Sequence, residues 1–159
     1  MKIRINDEIP DIDFYQVLDS GPKKVNSKTF FKDKKIILVA VPGAFTPTCS
    51  AEHLPGFADN EESFYSKGID EIVFVSVNDP FVMAEWGKVY KNNKINFIAD
   101  PYAEFAKKTN LILDLSEIGL GIRLSRFAML IDNGIIIDFF DEDGGGLEKS
   151  SAEAVLKSL

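Results

Sequence analysis

The sequence predicts an α/β fold in which a mixed central sheet is flanked by helices. Short runs of apolar residues recur along the chain, and turn residues close most of them. Helical stretches separate the first three runs, which favours parallel strands, and the last two runs form a hairpin, which adds antiparallel ones. At 159 residues and 45% hydrophobic content, the chain suits a single domain spanning residues 1–159.

Each element follows from a local pattern. The first thirty residues hold only short apolar patches and predict a lead-in to the domain. We expect buried strands at residues 36–41, 72–77 and 97–99, helical stretches at about 47–68 (with a kink or break at Pro55-Gly56), 80–90 and 103–108, hairpin strands at 127–131 and 135–140, and a terminal helix at 150–159. Asn133-Gly134 is a strong turn signal between the hairpin strands. This order of elements is that of a thioredoxin-like fold.

The segment after the first buried strand is the most informative one. Residues 41–50 read VPGAFTPTCS. Pro42-Gly43 ends the strand, Thr46 offers an N-cap hydroxyl, and Pro47 suits the first position of a helix. Cys49 is therefore expected in the first turn of that helix.

Cys49 is the only cysteine of the chain, so it cannot form an internal disulfide or a multi-cysteine zinc site. It is either an inert packed thiol or a nucleophile. Unpaired backbone N–H groups and the positive end of the helix dipole favour an anion in a first helical turn, and thiolates form readily there. The position favours the nucleophile.

A thiolate also needs a nearby cation, and no Lys or Arg lies between Lys35 and Lys67. A residue distant in sequence therefore has to fold back toward Cys49. Arg123 and Arg126 are the candidates, because they precede the hairpin strand at 127–131. We expect this strand beside the central strand at 36–41, so that its beginning lies close to the end of the central strand.

Several motifs resemble one family. Pro42, Thr46 and Cys49 have the PxxxTxxC spacing of the peroxiredoxin active-site motif. The longer run 41–57 resembles the peroxiredoxin-5 (type II, atypical) subfamily, and the SVNDPFVM run at 76–83, followed by Glu85-Trp86, is similar to its second signature. The RFAM run at 126–129 occupies the place of its Arg-Phe element. The resemblance extends from about residue 3 to the C-terminus.

The resemblance implies a thioredoxin-like peroxiredoxin fold and a thiol-dependent peroxidase that reduces hydrogen peroxide and small organic hydroperoxides. It makes Cys49 the peroxidatic nucleophile, which attacks the O–O bond and becomes a sulfenic acid. Thr46 would orient the peroxide, Arg126 would stabilise the thiolate and the departing oxygen, and Pro42 would screen the sulfur from water. No metal, haem or flavin is implied for this step.

The chain departs from many relatives because it has no resolving cysteine. The positions at which relatives carry one fall near Lys149 and at Phe74. An external thiol therefore has to reduce the sulfenic acid, and we expect glutathione, with or without glutaredoxin, first and thioredoxin second. The subfamily commonly dimerises through the face that carries the active-site loop, so the resemblance also predicts a homodimer with Phe45 and Phe81 at the contact.

Other residues near Cys49 leave alternatives open. His53 is either a general base for the thiol or a histidine that packs or hydrogen-bonds near the site and contacts the thiol reductant. The second is favoured, because an arginine and the helix terminus suffice for the thiolate. Glu52 either aligns Arg126 or the backbone, or merely follows the preference for acids in a first helical turn. With Phe45, these two residues are the expected substrate- or reductant-binding set.

Composition excludes several classes of function. The net charge of −7 disfavours nucleic acid and anionic membranes as partners, and no apolar stretch approaches the roughly 18 residues of a membrane span. The N-terminus lacks the apolar region of a signal peptide. One cysteine fits a reducing compartment, most simply the cytoplasm, with a trimmed organellar form left open.

Two further interpretations concern the late loop and an alternative function. The DEDGGG run at 141–146 lacks the spaced oxygen ligands of a calcium loop and predicts a solvated turn with flexible glycines. The alternative function is a redox-sensing or chaperone-like binding protein that Cys49 oxidation switches. A thioredoxin-like thiol transferase is disfavoured, because the chain has no Cys-x-x-Cys pair.

Overall fold

The computed structural model describes residues 1–90 and 93–159. The strands are β1 (Asp13–Leu18), β2 (Gly21–Asn26), β3 (Lys35–Ala40), β4 (Glu71–Ser76), β5 (Asn96–Ala99), β6 (Ile112–Leu115), β7 (Gly121–Leu124), β8 (Phe127–Asp132) and β9 (Ile135–Asp141). The helices are α1 (Ser27–Phe30), α2 (Leu54–Asp59), α3 (Glu61–Ser66), α4 (Pro80–Val89), α5 (Glu104–Thr109) and α6 (Ala152–Ser158). A wider helical turn, Cys49–His53, leads into α2, and a 3₁₀ turn covers Ser116–Ile118. None of the helices in the described ranges is both long and apolar enough to cross a membrane.

The central sheet has seven strands in the order β2-β1-β5-β4-β3-β8-β9. β4 pairs in parallel with β3 on one side and with β5 on the other. The other four pairings of the sheet, β1 with β2, β1 with β5, β3 with β8 and β8 with β9, are antiparallel. β6 and β7 form a separate two-stranded ribbon. The sheet is therefore mixed, and the predicted thioredoxin-like α/β fold is confirmed.

The core lies on both faces of the sheet, because successive side chains of a strand point to opposite sides. Leu38 packs with Phe105 and other residues of one buried cluster. Its neighbour Val39 belongs to a second cluster, which contains Trp86 of α4 and Cys49. The sheet face that α2 and α4 cover is therefore also the one that holds the cysteine.

Two parts of the chain differ from the prediction. The lead-in expected over the first thirty residues contains the β1–β2 hairpin, whose turn places Gly21 at a φ of +106°. β2 is an edge strand that exposes Lys23 and Lys24, so it lacks the continuous apolar run of the buried strands. The β6–β7 ribbon was not predicted either, because several of its residues are exposed or half-buried and carry only a weak pattern.

The interruption expected at Pro55-Gly56 is wrong in its position. Pro55 is accommodated near the start of α2, and the helix continues past Gly56 to Asp59, with Asn60 as its C-cap. The irregularity lies one turn earlier, where the Leu54 N–H donates to the Cys49 carbonyl five residues back instead of four. Such wide turns inside helices occur frequently at functional sites.

Candidate active site

Cys49 lies in the first helical turn after β3. Helical geometry begins at Pro47, and the Ser50 N–H donates to the Thr46 carbonyl at 2.9 Å. The Cys49 side chain is fully buried. The cap differs from the prediction, because the Thr46 hydroxyl donates to the Gly43 carbonyl at 2.7 Å and so closes the loop between the strand and the helix.

The loop that precedes Cys49 is tightly packed. A Cβ on Gly43 would lie 3.0 Å from Thr46 Cγ2 and 3.1 Å from Arg123 Nη1, so a larger residue would require these two side chains to shift by a few tenths of an ångström. Asn78, which follows β4, accepts the Ala44 N–H through Oδ1 at 3.0 Å. The end of β4 therefore holds the loop from the side, and nothing in the sequence pattern singled out Asn78 for this role.

Strand pairing brings a cation to the cysteine. Phe127, the first residue of β8, pairs with Ala40, the last residue of β3, in antiparallel register. Arg126 precedes Phe127 and therefore lies at the end of β3 from which the Cys49 loop departs. This pairing brings the arginine to the site as the sequence analysis expected, by way of a strand beside the central one.

The Arg126 guanidinium uses all three of its nitrogens within the site. Nη2 donates to Cys49 Sγ at 3.0 Å, Nη1 donates to His53 Nδ1 at 2.7 Å, and Nε donates to the Gly145 carbonyl at 3.2 Å. Arg126, Cys49 and His53 are all buried. A buried guanidinium in contact with the sulfur stabilises negative charge there, because little water screens it.

Arg123, the other candidate cation, serves a different purpose. Its Nε donates to the Leu120 carbonyl at 2.8 Å, and its Nη1 donates to the Pro42 carbonyl at 3.3 Å. It therefore ties the β6–β7 ribbon to the loop before Cys49. The structure places Arg126, and not Arg123, beside the sulfur.

The hydrogen bonds of His53 determine its tautomer. Nε2 lies 2.8 Å from the Ser150 carbonyl, which can only accept, so Nε2 carries the proton. Nδ1 therefore has a lone pair, which accepts from Arg126. Burial, and then the charge of Arg126, lower the pKa of His53 to about 4, so the ring is neutral at pH 7.

The late loop, residues 142–150, makes contacts to the site in addition to forming the solvated turn predicted at 141–146, whose residues are half-buried or exposed. The carbonyls of Gly144 and Gly145 accept from the Arg126 backbone N–H and Nε, and the Ser150 carbonyl accepts from His53. Glu142 accepts three hydrogen bonds through Oε2. Sequence reasoning missed these contacts because three are made by backbone carbonyls, which carry no signal in residue type, and the other three join Glu142 to residues six and eight positions away.

The remaining predicted residues line the edge of the site. Pro42 is buried in the loop before Cys49. Phe45 adopts a positive φ of 63°, which is uncommon for an aromatic residue, and leaves 53% of its surface exposed. Glu52 is exposed, and no hydrogen bond joins it to Arg126.

The opposite side of the helical turn is held by α4 and by Tyr90, the residue that follows it. Trp86 Nε1 donates to Ser50 Oγ at 3.0 Å, and the Tyr90 hydroxyl donates to the Ser50 carbonyl at 3.3 Å. With the five-residue spacing of this turn, the Ser50 carbonyl would accept a hydrogen bond from residue 55. That residue is proline, which has no backbone N–H. Tyr90 therefore supplies the donor that Pro55 lacks.

Known proteins resemble this chain in both sequence and architecture. The Redoxin family model matches residues 4–156. Peroxiredoxin-2D of Arabidopsis thaliana is 48% identical over 160 residues, which cover 99% of this chain and 98% of that protein. Reduced Prx3 from Vibrio vulnificus in complex with H2O2 has a TM-score of 0.94 at 38% identity, with 98% of both chains covered. Peroxiredoxin 5 from Alvinella pompejana has a TM-score of 0.86 at 34% identity and covers 98% of this chain and 97% of that one.

These matches extend over nearly the whole chain. They bear out the resemblance drawn from the sequence, including its subfamily. With one cysteine in its sequence, the chain belongs to the peroxiredoxin family, as a type II, peroxiredoxin-5-like member, and is a thiol-dependent peroxidase.

Proposed function

We propose that Cys49 is the nucleophile that reduces hydrogen peroxide and small organic hydroperoxides, with no metal, haem or flavin. The observation that carries this proposal is the buried Arg126 guanidinium, 3.0 Å from Sγ. The thiolate attacks one peroxide oxygen, so that an S–O bond forms as the O–O bond breaks. The sulfur loses two electrons and becomes a sulfenic acid, and the departing oxygen takes a proton and leaves as water or an alcohol.

The residues around the sulfur take separate roles. Arg126 stabilises the thiolate and then the charge that develops on the departing oxygen, as preorganised donors do in other enzymes. Thr46 orients the peroxide through its hydroxyl, which lies in the loop before the helix. Pro42, buried in the same loop, keeps water from the sulfur.

His53 acts on Arg126 and not as the base that removes the thiol proton. Its Nδ1 lone pair already accepts from the guanidinium, and Nε2 already donates to the Ser150 carbonyl. No free lone pair remains on the ring to take a proton from Cys49. The imidazole therefore orients Arg126 toward the sulfur.

We further propose that glutathione, with or without glutaredoxin, recycles the enzyme, with thioredoxin as the second candidate. One thiol attacks the sulfenic acid to give a mixed disulfide and water, and a second thiol releases the Cys49 thiol as a new disulfide forms. Because Cys49 is fully buried, the helical turn has to open before a thiol of this size reaches it. Phe45 and Glu52, both exposed beside the turn, are the surface that the reductant meets.

The exposed aromatic residues near the site support a homodimer. Phe45 and Phe81 leave 53% and 57% of their surfaces exposed. Asn78, three residues before Phe81 in the chain, accepts the N–H of Ala44, the neighbour of Phe45. Exposed apolar surface of this kind marks interaction sites, and sedimentation velocity tests the assembly.

A single cysteine suits a reducing compartment, and we propose that the protein is located in the cytoplasm. Microscopy of a tagged chain tests this location.

Mass spectrometry after peroxide treatment tests the chemistry directly. One equivalent of peroxide is expected to add one oxygen atom to Cys49, and glutathione is expected to convert that product to a mixed disulfide. Cys49→Ser should show neither product. Steady-state turnover that was faster with a thioredoxin system than with glutathione and glutaredoxin would reverse our order of reductants. Oxidation without turnover by any thiol, together with a change in assembly, would instead indicate the redox-sensing alternative.

A further inference from the structure

The late loop, residues 142–150, connects a carboxylate on its first residue to the groups that hold Arg126. We propose that Glu142 is a positioning residue for the peroxidase reaction. Its carboxylate holds the loop in the conformation whose carbonyls orient Arg126 and His53 against Cys49. This inference rests on the proposed role of Arg126.

Glu142 closes the loop on itself. Its Oε2 accepts from the Glu148 N–H at 2.8 Å, from the Ser150 N–H at 2.7 Å and from the Ser150 hydroxyl at 2.8 Å. Ser150 is fully buried. Without the carboxylate, two donors of this buried serine would lose their partner, which favours a different conformation of the loop.

The groups that the loop then presents all point to the site. The Ser150 carbonyl accepts from His53 Nε2 at 2.8 Å, and His53 Nδ1 accepts from Arg126 at 2.7 Å. The Gly145 carbonyl accepts from Arg126 Nε at 3.2 Å. The Glu142 N–H itself donates to the Arg126 carbonyl at 3.2 Å. Glu142 is therefore linked to the sulfur through an unbroken chain of hydrogen bonds.

The loop needs such an anchor because of its composition. Gly144, Gly145 and Gly146 impose almost no conformational preference, so the loop would otherwise sample many shapes. The acidic neighbours of Glu142 are engaged elsewhere, because Asp141 and Asp143 both pair with Lys2. Burial opposes the ionisation of Glu142, but the hydrogen bonds from residues 148 to 150 outweigh it and lower the pKa of Glu142.

Glu142→Ala tests the proposal, and Glu148→Ala is its matched control. Both remove one carboxylate from the same loop, but Glu148 is exposed and contributes only its backbone N–H to Glu142. The rate constant for Cys49 oxidation by hydrogen peroxide is measured by stopped flow in a single turnover. We expect Glu142→Ala to slow it about tenfold, since small displacements of catalytic groups cost rates of this order. Glu148→Ala should stay within about twofold of the wild type.

A double-mutant cycle distinguishes the failure of this proposal from the failure of the proposed function. In an Arg126→Lys background, Glu142→Ala should slow oxidation by less than about twofold, because the guanidinium that it positions is gone. An unchanged rate in Glu142→Ala alone, or an equal loss in both backgrounds, would overturn the role of Glu142. An Arg126→Lys variant as fast as the wild type would instead remove the proposed role of Arg126, and this inference with it.

His53 is the only histidine of the chain, so its ring signals can be observed without overlap. These signals would not change if Glu142 served only the stability of the fold. In protein labelled with ¹⁵N-histidine, the ring signals should report the Nε2–H tautomer of His53 in the wild type and in Glu148→Ala. Glu142→Ala should lose this single tautomer, because the Ser150 carbonyl is no longer held in place. A folded Glu142→Ala protein with unchanged His53 signals would contradict the proposal even if its rate had fallen.

Discussion

The two sides of the helical turn that carries Cys49 are held by different kinds of interaction. On one side, Cys49 and His53 contact a buried guanidinium that is itself bound to the late loop. On the other side, Ser50 contacts Trp86 and the Tyr90 hydroxyl through neutral hydrogen bonds. The first side is charged and directional, whereas the second is neutral and surrounded by aromatic residues.

This difference suggests that the two sides control different properties. Hydrogen bonds to charged groups contribute about 1.5–3 kcal/mol, and neutral ones about 0.5–1.5 kcal/mol. Only the charged side donates a hydrogen bond to the sulfur, so we expect that side to respond to charge that develops during the reaction. Substitutions on the charged side should change the rate of the reaction, and substitutions on the neutral side should change the stability of the turn.

The strongest test of this comparison is the substitution of the two arginines. Arg126→Lys should slow the reaction of Cys49 with peroxide by about 100- to 1000-fold, because a lysine cannot reproduce the fork that contacts both Cys49 and His53. The second-order rate constant from stopped-flow mixing measures the effect. Arg123→Lys is the matched control and should slow the reaction only a few-fold, since Arg123 contacts backbone carbonyls and not the sulfur. Equal losses in the two variants would break the distinction.

A smaller effect concerns stability at acidic pH and comes from His53. Its pKa is lowered to about 4 in the folded chain from an ordinary value of 6.5. Between these values the unfolded chain binds more protons, so the free energy of unfolding falls as the pH is lowered through this window. From pH 7 to pH 5 the loss from this residue is about 2 kcal/mol. Urea unfolding at pH 7 and pH 5 measures this loss. The decrease in the free energy of unfolding should be about 2 kcal/mol smaller in His53→Gln than in the wild type.

The same variant also tests whether His53 positions Arg126 or acts as a base. Glutamine keeps a donor and an acceptor, so His53→Gln should retain a measurable reaction with peroxide. A folded variant with no reaction would identify His53 as the base. Equal acid losses in His53→Gln and the wild type would show that His53 titrates alike in the folded and unfolded chains.

The smallest effect is expected on the neutral side. Ser50→Ala removes the acceptor for Trp86 Nε1 and should lower the free energy of unfolding by about 1 kcal/mol, because the indole N–H loses its partner. The rate of Cys49 oxidation should change by less than about twofold. Ser63→Ala, an exposed serine in α3, is the control and should leave both quantities unchanged. A large loss of rate in Ser50→Ala would show that the two sides are not separable.

Much of the fold could be predicted because its signals are local. The three buried strands are continuous apolar runs, and the β8–β9 hairpin is marked by Asn133-Gly134. The β1–β2 hairpin could not be predicted in the same way. Its outer strand is rich in exposed polar residues, and its position depends on the contact of β1 with β5, more than seventy residues away in the chain.

The sequence by itself determined the place of Cys49 in a first helical turn after a buried strand, because turn residues and proline act on their immediate neighbours. Only the tertiary structure decided that Arg126 and not Arg123 reaches the sulfur. Arg126 directly precedes β8, which pairs with β3, whereas Arg123 lies in the separate β6–β7 ribbon. It also decided the tautomer of His53 and the hydrogen bonds of Glu142. These involve backbone carbonyl and N–H groups of the late loop, and such groups are the same in nearly every residue type.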